Sequence, residues 1–120
     1  MKIFVGFLIV LIFVQNLFAS TLIFKGAKVV ADASASNFVE VVRLNVSKYK
    51  AIRIALVRRN LITREVEETR GFRLYGIEDD ENVFLNYYEG YSAVIEAPPA
   101  EIKISVADKG NYKIYIWGNL

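Results

Sequence analysis

Past residue 20, apolar and polar positions alternate. In "YKAIRIALV", Ile52, Ile54 and Leu56 fall on one side and Ala51, Arg53 and Ala55 on the other. That period of two marks a strand with one buried face. "GFRLYGI" and "NYKIYIWGN" repeat it, and "FVEVVRLNV" is apolar on both sides, which predicts a strand covered on both faces. "TLIFKG" and "AKVVAD" read as short strands split by Gly26, and "ASASN" as a connector. "RRNLITREVEETR" predicts an exposed hairpin or edge excursion whose charges discourage strand addition. "EDDEN" is a turn, "VFLNYYEGYS" a strand bent at Gly90, and "AVIEAPPAEIKISVA" two strands parted by Pro98-Pro99. Eight or nine short strands with regular turns predict an all-β chain, a single antiparallel β-sandwich over residues 20–120.

The last two strands invite a closer prediction. "EIKISVA" and "NYKIYIWGN" are joined by Asp108-Lys109-Gly110, a loop length that suits a hairpin with glycine in the left-handed region. That register sets Val106, Ile104 and Ile102 opposite Tyr112, Ile114 and Ile116, an apolar face for the core. The other face pairs Ser105 with Lys113, Lys103 with Tyr115 and Glu101 with Trp117. Trp117 is then expected off the core side, either as a ligand platform or beneath another segment.

The first nineteen residues differ from the rest. "MKIFVGFLIVLIFVQNLFAS" has one lysine, an apolar run from Ile3 to Val14, a polar break at Gln15-Asn16 and a small-residue exit. This predicts a secretory signal peptide over 1–19, cleaved after Ala19. The rival is an uncleaved membrane anchor, if Leu17 to Phe24 extends the run toward the ~20 residues of a span. "GFLIVLI" also looks like a pilin leader, but Leu11 stands where a pilin carries glutamate. Periplasmic or secreted localisation follows from the first reading, and N-terminal anchoring from the second.

Charge adds little. The chain carries 15 Lys and Arg against 13 Asp and Glu, net +2, so long-range attraction to nucleic acid is not expected. Cysteine is absent, which excludes disulfides, thiol nucleophiles and lipidation at a lipobox.

The order "LNVSKYKAIRIALV", a polar excursion, then "VIEAPPAEIKISVADKGNYKIYIWG" resembles the jelly-roll sandwiches of the galactose-binding-like class over about residues 38–118. The shared features are a valine-rich strand, "S-x-Y-K-x-I-R-I", a proline step and a final hairpin ending in glycine. The resemblance implies a jelly-roll-like sandwich, and members of that class often bind glycans or other surface ligands. It supplies no catalytic or ligand motif.

Histidine is absent, and no glycine-rich loop opens a helix. Ser-His-Asp and Cys-His catalysis and nucleotide phosphate cradles are therefore excluded. Carboxylates remain. Glu78, Asp79, Asp80 and Glu81 sit in one turn, where a solvated acidic loop is the plainer account than a Ca²⁺ site. No enzyme activity, cofactor or metal is expected. Arg58, Arg59, Arg64, Arg70 and Arg73 could grip an acidic sugar, but Glu65, Glu67 and Glu68 are interleaved with them and favour surface ion pairs. "NVS" at Asn45 is a glycosylation sequon with meaning only in a eukaryotic secretory pathway. Tyrosine and tryptophan stack on sugars while their polar tips bind hydroxyls, though aromatics also favour strands and fill cores. The candidate ligand-binding residues are Trp117, Tyr115, Lys103, Tyr87, Tyr88 and Tyr91. The expected function is an exported, non-catalytic binding module for glycans or an envelope protein. The alternative is a structural or assembly subunit that self-associates through edge strands or an aromatic face.

Overall fold

The computed structural model describes residues 20–120; the expected leader at 1–19 lies outside them. Nine strands follow in order: β1 Thr21–Val30, β2 Val39–Asn45, β3 Ala51–Arg59, β4 Val66–Glu67, β5 Gly71–Glu78, β6 Glu81–Glu89, β7 Ser92–Glu96, β8 Glu101–Val106 and β9 Gly110–Asn119. The described chain is all-β and forms two antiparallel sheets. One runs β1-β9-β3, with β7 and β4 sharing the far edge of β3. The other runs β2-β8-β5-β6. The pairing is nested: β5 pairs with β6, β3 with β7, β2 with β8 and β1 with β9. The chain is a long ribbon doubled back on itself at the β5–β6 turn and rolled up.

Alternation decides which side chains meet inside. Ile52, Ile54 and Leu56 of β3 and Tyr112, Ile114 and Ile116 of β9 face Phe72 and Leu74 of β5 and Ile102, Ile104 and Val106 of β8. Each is at most 2% exposed, and all belong to one cluster. Burial of side chains this size contributes roughly 1.5–3 kcal/mol each before entropy is charged. The two-sided apolar character of β2 has a local cause. A bulge between Glu40 and Val42 lets Val41 and Val42 both turn inward.

Four expectations need correction. "VFLNYYEGYS" is not one strand bent at Gly90: β6 ends at Glu89 in one sheet and β7 starts at Ser92 in the other. Gly26 does not split β1: it stays in the ladder opposite Ile114, and the Phe24 ring folds over the space a Cβ would take. β8 and β9 do not form a hairpin. β8 pairs with β2 and β5, and β9 with β1 and β3, so residues 107–109 cross from one sheet to the other. The apolar faces were read correctly, but they meet across the core rather than side by side. Gly110 is therefore not a left-handed turn residue; a Cβ there would lie 2.5 Å from Arg58 Cγ, so glycine is needed for close approach.

A polar latch fixes that crossing. The Asp108 carboxylate accepts from the Arg70 backbone N–H at 2.8 Å and from Arg70 Nε at 2.7 Å. The buried Tyr112 hydroxyl donates to the Asp108 carbonyl at 2.8 Å. Arg58 Nη1 donates to the Lys109 carbonyl at 3.0 Å and to Glu67 Oε2 at 2.9 Å, tying in the β3–β4 excursion. Burial alone would raise the Asp108 pKa. The Arg70 N–H, the Arg70 guanidinium and the nearby Arg58 charge outweigh it and hold the carboxyl below its ordinary value.

Candidate functional site

The outer face of the β2-β8-β5-β6 sheet is laid out by strand parity and register. Phe72 and Leu74 point inward, so Arg73 and Tyr75 of β5 point outward. One row runs Arg43, Lys103, Tyr75, Phe84 across β2, β8, β5 and β6; the next runs Glu40, Ser105, Arg73, Tyr87. A bulge on β6 between these rows, at Leu85, sets the spacing of Phe84 and Tyr87.

These side chains interlock cations with rings. The Arg73 guanidinium lies 3.9 Å from the Phe38 ring centroid, and Lys103 Nζ lies 4.7 Å from that of Tyr75. Tyr75 meets Phe84 edge to face at 5.7 Å. The Tyr87 hydroxyl donates to the Arg70 carbonyl at 3.0 Å, which links this face to the latch. Together Ala35, Phe38, Arg73, Tyr75, Phe84 and Tyr87 line an open recess of about 520 Å³. Phe84 is 55% and Tyr87 41% exposed, so both rings have surface free for a ligand. Arg43 is already engaged by Glu40 at 3.2 Å, which leaves Arg73 and Lys103 as the cations over the rings.

The six sequence candidates fall in four places. Lys103 and Tyr87 are brought to the recess or its rim. Trp117 and Tyr115 lie on the outer face of the other sheet, stacked at 6.0 Å. There Arg53 sits 4.3 Å over the Trp117 ring and Lys25 sits 5.9 Å from Tyr115. Both rings are half-buried in this ladder. Tyr88 points inward and stacks on Phe72 at 5.4 Å, against the core. Tyr91 is 65% exposed beside a smaller recess of about 250 Å³, near Val66 and Glu68.

Phe38, Tyr75 and Phe84 were missed by sequence reasoning, and Arg73 was weighed only as one of an arginine series. The outward parity of Arg73 and Tyr75 in "GFRLYGI" was a usable signal. The approach of Phe38 was not, because it comes from a connector.

The acidic turn is a two-residue hairpin connection. Asp79 and Asp80 both take positive φ, 50° and 64°, and Glu78 pairs with Glu81. Among the described residues no group of three or more acidic side chains is arranged to hold a metal ion, and no helix is long and apolar enough to cross a membrane. Compared with protein-family models, with curated proteins and with solved structures, the chain matches none.

Proposed function

We propose that this protein is an exported, non-catalytic binding module that takes a glycan on the outer face of its β2-β8-β5-β6 sheet. The observation that carries the reading is the open recess lined by Phe38, Tyr75, Phe84, Tyr87 and Arg73, with Lys103 over the Tyr75 ring beside it. Phe84 and Tyr87 offer flat apolar faces to sugar rings. Arg73 and Lys103 favour a carboxylate or sulfate on that sugar, so an acidic polysaccharide is the ligand class. The four nested strand pairs support describing the fold as a jelly roll. Export rests on the leader pattern at 1–19, and intact mass of protein recovered outside the cytoplasm tests it.

Binding is tested by affinity electrophoresis through gels containing neutral or acidic polysaccharides. Retardation by the acidic gels that is lost in both Phe84→Ala and Arg73→Ala supports the site. Retardation that survives both substitutions removes it.

A further inference from the structure

We propose that copies of this chain assemble head to tail, with the free edge of β1 in one copy pairing beside the free edge of β6 in the next. Each sheet ends in two edges, and they are not equally protected. β4 and β7 are short, at 2 and 5 residues. β2 is shorter than β1 and β6, at 7 residues, and its Arg43 is held by its own Glu40. β1 and β6 are long, at 10 and 9 residues, and each pairs on one side only. Long unpaired edges offer backbone donors and acceptors to another strand.

Their charges are opposite. β1 carries Lys25 and Lys28 and no acid; β6 carries Glu81 and Glu89 and no base, and the turn before it adds Asp79 and Asp80. All of these are exposed, and none takes part in an ion pair among the described residues. Like charges across a strand pair are unfavourable and opposite charges favourable. Pairing β1 with β1 would collect lysines, and pairing β6 with β6 would collect acids. Only β1 with β6 is complementary, so the charges that block self-pairing of either edge select the mixed one. Val83 and Leu85 on β6 and Leu22 and Val29 on β1 are 41–60% exposed and add apolar surface to such a junction. A contact between two different edges leaves one β1 edge and one β6 edge free in every dimer, so assembly continues past the dimer into an open chain or a closed ring. The bulge at Leu85 shortens the regular part of β6 and keeps each junction weak.

Sedimentation velocity at low salt over a rising concentration series tests this, with two variants. Lys25→Glu/Lys28→Glu makes both edges acidic, and Asp79→Asn/Asp80→Asn/Glu81→Lys/Glu89→Lys makes both edges basic. The wild type is expected to grow past the dimer mass as concentration rises. Each variant alone should stay monomeric with an undiminished melting temperature, and an equimolar mixture should regain assembly because both junctions are then complementary. Three results overturn the proposal: a wild type that is monomeric throughout, either variant assembling alone as the wild type does, or a mixture that fails to assemble.

Discussion

Asp108→Asn keeps the shape of the crossing between sheets and removes its charge. Asp108 is 8% exposed, and its two oxygens accept two hydrogen bonds from Arg70, one from the backbone N–H and one from Nε. A hydrogen bond to a charged group contributes about 1.5–3 kcal/mol, against about 1 for a neutral one. The Arg70 side chain is 70% exposed, so its ion pair is screened, and the bond from the backbone N–H carries most of the effect. Asparagine can keep one acceptor but sets its amide N–H groups against the second donor. The expected loss is about 2 kcal/mol, or about 10 °C in Tm for a domain of this size. Urea unfolding followed by Trp117 fluorescence reads it. The loss should also depend on pH. Because Asp108 is held below its ordinary pKa when folded, the unfolded chain takes up the proton first as pH falls. The stabilisation is therefore full above the unfolded value near ~4 and is lost as pH drops through the folded value. Wild type and Asp108→Asn should converge in acid. Arg70→Ala, which leaves the backbone N–H in place, should cost much less. If Asp108→Asn matches the wild type at neutral pH, the latch is not what holds the crossing; if Arg70→Ala costs as much as Asp108→Asn, the guanidinium and not the backbone N–H carries the latch.

Other substitutions probe separate features. Tyr112→Phe removes the buried hydroxyl bond to the Asp108 carbonyl and should cost about 1 kcal/mol. Burial and then the Asp108 charge raise the Tyr112 pKa, so its contribution should be constant below the unfolded value near ~10 and lost as pH climbs above it; the phenylalanine variant should lack that part of the alkaline transition. Replacing Asp79-Asp80 with Asn-Gly suits a turn in which both residues have positive φ, and should raise stability by about 1 kcal/mol in a thermal melt. Trp117→Ala should cost about 1–2 kcal/mol, because the ring is half-buried under Arg53, and not the ~3 kcal/mol or more of an emptied core site. Loss of polysaccharide binding in that variant would move the site to the other sheet.

Local parity was legible in the sequence because it depends only on neighbours two apart. Ile52, Ile54 and Leu56 against Arg53 and Ala55 could be sorted without knowing any partner strand, and they are sorted that way in the fold. The exposed excursion after Arg58, the Asp79-Asp80 turn and the break at Pro98-Pro99 follow from residue chemistry of the same short range. Partnership was not legible. Asp108-Lys109-Gly110 suits a hairpin in length and composition, yet β9 finds its neighbours in β1 and β3, far back in the chain. The site divides along the same line. Tyr87 and Tyr88 are adjacent and so must point to opposite faces, which the sequence already implied and which separates Tyr88 from any surface site. The meeting of Phe38 with Arg73, and of Phe84 with Tyr75, depends on a connector and a bulge whose positions no alternation reveals.

The most direct test of the binding face is amide chemical-shift mapping during titration with an acidic oligosaccharide. The expected shifts cluster at Phe38, Arg73, Tyr75, Phe84 and Tyr87, saturate together, and leave Tyr115 and Trp117 unmoved. Shifts centred on Trp117, or no saturable shifts with any acidic oligosaccharide, would contradict the assignment.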